Sequence, residues 1–368
     1  MRLERVELVL VALPLVRAFR TSFGEESVRE AVLVHVVSNE GEGWGECGAS
    51  REPLYSPDFN AAEWSVLADF FIPELLAASS IEASEVAPLL AAYKGHRMAK
   101  SALEAAVLDA ELRGRGTSMQ EYLGGSGDSV APGVSVGMTP RADELLGVVA
   151  SHLEEGYTRV KLKIEPGFDV EPTRAVRELV GDDFLLQVDA NGAYRREDAD
   201  HLARLDDLGL LLIEQPLADD DLFGHRDLAQ LLSTPICLDE SIVSLRSAED
   251  ALAVGACSIV NIKPARVGGY LAAHALHDYC RAVGVPVWCG GMLETGIGRA
   301  ANLALASLPG FTLPPDISAT DRYYREDVTA PFLLRHGTIA VPKGPGIGVE
   351  VDEAAVARLS TRRESFGR

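Results

Sequence analysis

The sequence predicts an α/β fold in which a parallel (β/α) barrel follows a smaller α+β segment. From residue 130 onward, short apolar runs recur at intervals of about 25 residues, and each run ends at a polar or small residue. Stretches with helical periodicity separate these runs. Eight strand–helix steps of this kind are typical of a barrel. A doubly wound open sheet shares the alternation, but it does not normally place functional residues at so many strand ends.

Residues 1–125 have the pattern of the α+β segment. β-branched apolar runs predict two strands, and apolar side chains recurring on one face predict a strong helix. In order, the predicted elements are strands over Val6–Leu13 and Glu30–Val37, a hairpin strand ending at Glu42–Glu46, helical segments within residues 59–94, and a helix over Arg97–Arg113. The glycine-rich stretch Gly124–Gly127 predicts a loop at the domain boundary.

The later part of the chain supplies the strands and helices of the predicted barrel. Its strands end at Ser135, Lys163, Asp189, Glu214, Asp239, Lys263, Cys289 and, through Phe311–Leu313, close to Asp316. Helices are predicted over Val170–Leu179, Arg196–Leu205, Ser247–Val254 and Tyr270–Val283. After about residue 325 short strands return, such as Thr338–Val341, and we expect them to rejoin the first domain. The predicted domains are therefore 1–125, completed by about 325–368, and 126–324.

Composition excludes several classes of partner. The net charge of −21 disfavours binding to nucleic acid or to an anionic membrane surface. The apolar run Leu8–Val16 is interrupted by Pro14 and is too short to span a bilayer. The five cysteines form no C-x-x-C pair, and free thiols predict a reducing cytoplasm.

Three successive strand ends carry carboxylates: Asp189, Glu214 and Asp239. Carboxylates that share one pocket repel each other unless a cation lies between them. Their ligand atoms are all oxygen, which favours Mg²⁺ over Zn²⁺, with Mn²⁺ or another divalent cation as the alternative. The alternative interpretation is that these acids are helix caps or surface charges.

Lysines flank the carboxylates along the chain. Lys161 and Lys163 are two residues apart, so on a strand both point into the barrel. A positive neighbour and a divalent cation both lower the pKa of a lysine, which predicts a general base. Lys263 lies four strands after Lys163, half-way round an eight-stranded barrel. We therefore predict that Lys163 and Lys263 face each other across a metal-bound carboxylate substrate, where one removes the α-proton and the metal stabilises the enediolate.

Weaker candidates surround these residues. We predict that Ser135 contacts the substrate and that Asn191 hydrogen-bonds a ligand or the substrate, or forms a turn. Arg266 is predicted to make a polar contact at the pocket rim or to be a surface charge. Gly290 and Gly291 predict a backbone wall along which the substrate can approach.

The chain resembles the enolase superfamily, in particular its muconate-lactonizing-enzyme subgroup and, within it, the racemase and synthase branch that acts on succinylated substrates. The matching motifs are Lys161-Leu162-Lys163, Asp189-Ala190-Asn191, Glu214-Gln215-Pro216, Asp239-Glu240-Ser241, Asn261-Ile262-Lys263, Ala102-Leu103-Glu104 through Asp109, Lys263-Pro264-Ala265-Arg266, and Trp288-Cys289-Gly290-Gly291-Met292. The resemblance implies a (β/α)7β barrel, an N-terminal capping domain, one Mg²⁺ and a homo-oligomer. It also implies that capping loops containing Phe19, Thr21, Phe23 and Tyr55, together with Gly291 and Met292, contact the substrate.

The same resemblance implies an N-acylamino acid racemase that prefers N-succinyl substrates. The alternative is dehydration to o-succinylbenzoate in menaquinone biosynthesis, and one pocket could serve both reactions. Trp288-Cys289 stands where a mandelate-racemase-like enzyme has a histidine, and Asp316-Ile317-Ser318 departs from the D-x-D of dipeptide epimerases. A barrel kept only for binding is the remote alternative, disfavoured because every lysine and carboxylate is present.

Overall fold

An antiparallel sheet and a layer of helices form the N-terminal part of the protein, of which the computed structural model describes residues 1–367. The strands are β1 (Leu3–Thr21), β2 (Gly24–Ser38) and β3 (Glu42–Cys47). The helices are α1 (Asn60–Val66), a π-helical turn (Leu67–Phe71), α2 (Ile72–Ala77), α3 (Ala83–Leu89), α4 (Arg97–Arg115) and α5 (Met119–Leu123). β1 and β2 form a long hairpin whose tip is closed by pairing of Thr21 with Gly24.

Helix α4 packs directly on strand β3. A Cβ on Gly43 would overlap the backbone of Ala110, and a Cβ on Gly45 would overlap the backbone of Ala102. Small residues on both elements therefore permit this close approach. The predicted strands and the predicted helix at Arg97 are confirmed, with the helix extending to Arg115.

Seven parallel strands follow, hydrogen-bonded to one another in chain order. After the short strand β4 (Ser129–Val130) they are β5 (Val134–Val136), β6 (Arg159–Lys163), β7 (Leu185–Asp189), β8 (Ile213–Glu214), β9 (Ile236–Leu238), β10 (Ile259–Ile262) and β11 (Val287–Cys289). The helices between them are α6 (Ala142–Glu155), α7 (Val170–Val180), α8 (Ala199–Leu202) between 3-10 turns at Arg196–Asp198 and Ala203–Leu208, α9 (Leu222–Leu231), α10 (Leu245–Val254), α11 (Pro264–Val267), α12 (Tyr270–Ala282) and α13 (Gly296–Ala306).

The eighth strand position of the barrel is occupied by residues 311–316, the closing segment, which pairs with β11 where a strand was predicted over Phe311–Leu313 but forms no regular strand. Phe311 makes a single parallel bridge to Val287, and Asp316 N donates to Cys289 O over 2.9 Å. On the other side, Gly133 N donates to Pro315 O over 2.9 Å, so the segment joins β11 to the start of β5. Pro314 and Pro315 have no N–H to donate, which explains why no regular ladder forms.

The C-terminal residues return to the N-terminal part. After a 3-10 turn (Thr320–Arg322), β12 (Ile339–Ala340) pairs with β4. Beyond α14 (Glu353–Leu359), β13 (Ser360–Gly367) pairs antiparallel with β1. Within residues 1–367, no helix combines the length and the apolar character that crossing a membrane requires.

Glu46 on β3 links the antiparallel sheet to the barrel. Its buried carboxylate accepts hydrogen bonds from Thr295 N (3.0 Å), Thr295 Oγ1 (2.7 Å) and Gly298 N (3.0 Å), at the first turn of α13. Burial and the nearby Glu294 carboxylate raise the pKa of Glu46 to about 7, against the opposing effects of the Thr295 hydrogen bonds and Arg29. Glu46 therefore binds a proton more readily in the folded protein than in the unfolded chain.

Replacing Glu46 by Gln should change how stability depends on pH. Because the folded-state pKa is raised, the contribution of Glu46 to stability is present at low pH and is lost as the pH rises through about 7. Gln does not titrate, so the difference in Tm, variant minus unaltered protein, should increase between pH 5.5 and pH 8. Differential scanning fluorimetry measures this, with the exposed Glu154→Gln as control. A pH-independent difference would contradict the prediction.

Candidate active site

Strand β6 turns three basic side chains toward the barrel interior. Arg159, Lys161 and Lys163 alternate along the strand and are all buried, whereas Leu162 packs in the hydrophobic core on the other face. This is the two-residue period of a strand, which places every second side chain on the same side. Two of the three, Lys161 and Lys163, are those identified from the sequence.

Lys161 lies among three carboxylates. Its Nζ donates to Glu214 Oε2 over 2.8 Å and lies 3.0 Å from Asp189 Oδ2 and 2.6 Å from Asp316 Oδ2. Burial disfavours the ammonium, but Asp316, Glu214 and Asp189 outweigh burial and raise the pKa of Lys161 above its ordinary value. These carboxylates favour the ammonium form of Lys161; the lowered lysine pKa expected from the sequence depends on a bound divalent cation and stays a prediction.

Lys163 and Asp189 form the next pair along the barrel. Lys163 Nζ donates to Asp189 Oδ2 (2.6 Å) and to Asn191 Oδ1 (2.7 Å). Burial opposes ionisation of Asp189, but Lys163 and Lys161 outweigh burial and hold the pKa of its carboxyl below the usual value. Burial and the Asp189 carboxylate instead raise the pKa of Glu214. The adjacent acids thus differ in ease of ionisation, as two carboxylates with different partners should.

Lys263 lies on the opposite side of the barrel from Lys163. Strands β7, β8 and β9 separate β6 from β10 in one direction, and β11, the closing segment and β5 separate them in the other. Lys263 Nζ donates to Asp239 Oδ2 (2.9 Å) and to Tyr55 Oη (3.0 Å), which belongs to a loop after β3. Burial disfavours the charged form of Lys263, but Tyr55, Glu240 and Glu214 outweigh it and raise the pKa of the lysine.

The three predicted metal ligands lie at neighbouring strand ends, with lysine ammonium groups beside them. Lys161 Nζ lies between Asp189 and Glu214, and Lys263 Nζ lies next to Asp239. A further acid missed in the sequence, Glu240, has a buried Oε2 that accepts no hydrogen bond within residues 1–367. Burial and Asp189 raise the pKa of Glu240 to about 7. An all-carboxylate donor set with an unsatisfied buried oxygen nearby fits a hard divalent cation.

A second acidic cluster lies outside the barrel. In the described part of the chain, the acids and histidine whose ligand atoms lie within 4.8 Å of one another are Asp58, Glu63 and His96. Asp58 accepts from Met98 N (3.1 Å) and Glu63 from Ala99 N (3.1 Å), so both carboxylates cap the first turn of α4. Their geometry is explained by this structural role.

A cavity of about 300 Å³ opens onto the two lysines. Of the predicted contact residues, its walls contain Phe19, Thr21, Phe23, Tyr55, Ser135, Lys161, Asn191, Gly291 and Met292, together with Lys163 and Lys263. Ser135 Oγ is buried and has no hydrogen-bond partner among the described residues, which leaves it free for a ligand.

Arg266 differs from the other candidates because it is buried behind the cavity wall. Its Nε donates to Ile242 O and its Nη2 to Asn261 O, each over 2.6 Å. Nη1 donates to Tyr55 Oη over 3.2 Å and also pairs with Asp239. The rim position expected from the sequence is wrong, because the short turn of α11 folds the side chain back onto the end of β10.

Sequence reasoning missed the pairing of Arg159 with Asp316. Arg159 Nη1 lies 2.6 Å from Asp316 Oδ1, and Asp316 also holds Lys161 and lines the cavity. The alternation of basic residues along β6 was a signal for Arg159. Its partner lies in the irregular closing segment, where no periodicity marks it.

Comparison with known proteins agrees with this geometry. Residues 145–355 match the family described as "Enolase C-terminal domain-like". An N-succinylamino acid racemase from Amycolatopsis sp is 60% identical, covering 98% of this chain and 99% of the relative. An o-succinylbenzoate synthase from Bacillus subtilis (strain 168) is 43% identical, covering 99% of this chain and 98% of the relative.

Solved structures are similar over the whole chain. An enolase superfamily member from Listeria innocua Clip11262 superimposes with a TM-score of 0.95 at 36% identity, covering 100% of this chain and 99% of that one. A second member, from Enterococcus faecalis V583, gives 0.92 at 39% identity and 99% coverage of both chains. With its (β/α)7β barrel and N-terminal capping domain, the protein belongs to the enolase superfamily.

Proposed function

We propose that the protein racemises N-acylamino acids, with N-succinylamino acids preferred. The observation that carries the proposal is that Lys163 and Lys263 line one cavity from strands half-way round the barrel from each other. Two bases on opposite faces of a planar intermediate are what inversion at an α-carbon requires. The 60% identity to a relative named N-succinylamino acid racemase supports the choice of substrate.

In this mechanism the two lysines exchange roles with the direction of reaction. The neutral Nζ of one lysine takes the α-proton from one face, and the ammonium of the other delivers a proton to the opposite face. Asp189, Glu214 and Asp239 would hold Mg²⁺, or Mn²⁺ or another divalent cation in its place. When bound, the cation supplies positive charge beside the substrate carboxylate and so stabilises the enediolate. Lys161, held by Asp316, adds a further fixed positive charge.

The substrate is proposed to lie between the barrel and the capping domain. In this assignment residues 1–125 and about 325–368 form the capping domain, and residues 126–324 form the barrel. Ser135, Asn191, Gly291 and Met292 would contact the reacting end. Phe19, Thr21, Phe23 and Tyr55 would contact the acyl arm; the Phe23 and Tyr55 rings lie 6.2 Å apart between centroids.

The second candidate function is dehydration to o-succinylbenzoate. It is favoured by the 43% identity to the synthase from Bacillus subtilis, and it begins with the same proton abstraction. Only one lysine need then transfer protons. Assays of the purified protein on both substrates distinguish the two activities, and a protein with both would show that one cavity accepts either succinylated substrate.

The proposed setting is the cytoplasm, where the five cysteines, all buried and unpaired, remain reduced. The proposed assembly is a homo-oligomer, on the strength of the family resemblance.

Removal of divalent cations should abolish turnover, and Mg²⁺ or Mn²⁺ should restore it. Glu214→Gln should weaken Mg²⁺ binding, measured by calorimetry, and lower the rate by several powers of ten, each worth about 1.4 kcal/mol of barrier. Asp58→Asn, in the capping-domain cluster, is the matched control and should leave Mg²⁺ binding unchanged. Full activity in metal-stripped protein would disprove the proposed metal site.

Each lysine should serve one enantiomer. In deuterated water the unaltered enzyme should exchange the α-proton of both D- and L-N-succinylamino acids. Lys163→Ala should lower exchange from one enantiomer on the order of 10²–10⁴-fold and stop racemisation, because one base is gone. Lys263→Ala should affect the other enantiomer. Mass spectrometry and chiral chromatography measure both, and racemisation that persists in either variant would refute the two-base assignment.

Shortening Phe23 to Ala should change acyl preference more than proton transfer. Phe23 lies at the hairpin tip and lines the cavity, away from the strand ends that carry the lysines. The ratio of kcat/KM for N-succinyl over N-acetyl substrates should shift roughly ten-fold, as expected when apolar contact to one group is removed. Phe70→Ala, which alters a half-exposed ring outside the cavity, is the control. An unchanged ratio with proton exchange lost would argue against this placement.

A further inference from the structure

The capping domain contacts the turn that follows Lys263 at several points. Helix α11 begins at the next residue and packs against α4. A Cβ on Gly48 would lie 2.7 Å from Ala265 Cβ, so these two backbones approach closely. Gly268, in the left-handed conformation that ends α11, faces the side chain of Arg97. The turn therefore lies directly against the capping domain.

Glu104 on α4 makes a second polar contact with this region, in addition to the bonds of Tyr55 with Lys263 and Arg266. Its carboxylate is buried and accepts a hydrogen bond from Leu271 N over 3.0 Å, in the first turn of α12. Tyr270 N also bonds to it, and a Cβ on Gly269 would overlap the carboxylate. Burial raises the pKa of Glu104 to about 7, while these N–H groups favour its charged form. The acid thus fixes the backbone of residues 269–271 from the capping domain.

The turn between Glu104 and Lys263 is short and internally bonded. Arg266 N and Val267 N donate to Lys263 O over 3.0 and 3.1 Å. Gly268 N and Gly269 N donate to Pro264 O over 3.1 and 3.0 Å. A displacement of the backbone at 269–271 therefore reaches the backbone of Lys263 through two linked sets of hydrogen bonds.

The Lys163 side of the barrel meets the capping domain differently. There the contacts come from the hairpin tip: Arg20 pairs with Glu165 over 3.3 Å, and Ser22 Oγ donates to Ala190 O over 3.1 Å. Arg20 and Glu165 are both partly exposed, and exposed pairs contribute little stability. The capping domain therefore contacts the Lys163 side and the Lys263 side of the barrel through different kinds of bond.

We propose that Glu104 is a positioning residue for Lys263, and that it acts on proton transfer at one face of the substrate. The inference rests on the proposed function, because it needs two bases that serve opposite enantiomers. Glu104 touches neither substrate nor reacting atoms. It keeps Lys263 Nζ in line with the α-carbon, and a misplacement of about 1 Å there costs up to about 100-fold in rate.

The measurement must separate the two faces, and net racemisation does not. The enantiomers have equal free energy, so kcat/KM for the two directions remains equal in every variant. Exchange of the α-proton with solvent, followed by return to the same enantiomer, uses one lysine at a time. Exchange without inversion in deuterated water therefore reports on Lys163 and Lys263 individually.

Glu104→Ala should lower exchange from the enantiomer served by Lys263 roughly 10- to 100-fold and leave the other within about two-fold. Glu104→Gln keeps one oxygen acceptor and should recover most of the lost exchange.

Glu63→Ala is the matched control. Glu63 is equally buried, also caps a first helical turn, and bonds to His96 and Ala99 within the capping domain. It should affect both enantiomers alike.

Equal losses for the two enantiomers in Glu104→Ala, matching those in Glu63→Ala, would overturn the inference while leaving the proposed function intact. If the alanine variant does not fold, Glu104→Asp withdraws the carboxylate by one methylene and should show the same asymmetry, and its absence there overturns the inference. No exchange from either enantiomer in the unaltered enzyme overturns the inference together with the proposed function.

Discussion

Balance among buried charges inside the barrel, from the start of β6 to the carboxyl ends of the strands, is the constraint on which the rest of the structure depends. Arg159, Lys161, Lys163, Lys263 and Arg266 are all buried, as are Asp189, Glu214 and Asp239. An isolated charge in such a place costs several kcal/mol, and pairing offsets that cost only where the geometry is good. Each cation accordingly lies within 3.0 Å of a carboxylate oxygen. Parallel strands make this arrangement available because their ends converge at one edge.

The capping domain contributes two further buried acids, which bond to the first turns of barrel helices and not to the buried cations. Glu46 from β3 bonds to the start of α13, and Glu104 from α4 bonds to the start of α12. The N-terminus of a helix carries partial positive charge and unpaired N–H groups, which suit a carboxylate. Both contacts fall on the side of the barrel that carries Lys263. The interface between the two domains is therefore fixed by backbone hydrogen bonds there and by looser contacts at the hairpin tip.

Much of this architecture could be predicted from the sequence, and the failures have physical causes. The strand ends were predicted because apolar runs and the polar residue after each run are local signals. The eighth strand position lies where it was predicted, but it is irregular because Pro314 and Pro315 remove the donors of a regular ladder. Arg159–Asp316 and the burial of Arg266 were missed because each depends on a partner distant in sequence. The direction of a lysine pKa shift depends on how many carboxylates and cations surround the ammonium, which spacing along a strand does not report.

Tyr55 connects the polar network around Lys263 to the apolar wall of the cavity. Its hydroxyl is held by Lys263 (3.0 Å), Asp239 (3.1 Å) and Arg266 (3.2 Å), three groups from the rigid end of the barrel. Its ring lines the cavity and lies beside Phe23 at the hairpin tip. Because the hydroxyl is anchored at three points, the ring attached to it is held in place, so under the proposed function Phe23 and the hairpin tip, and not Tyr55 or Lys263, would adjust to different acyl groups. The polar end of this side chain thus bonds to the proposed base Lys263, while its ring lines the part of the cavity where the proposed function places the acyl arm.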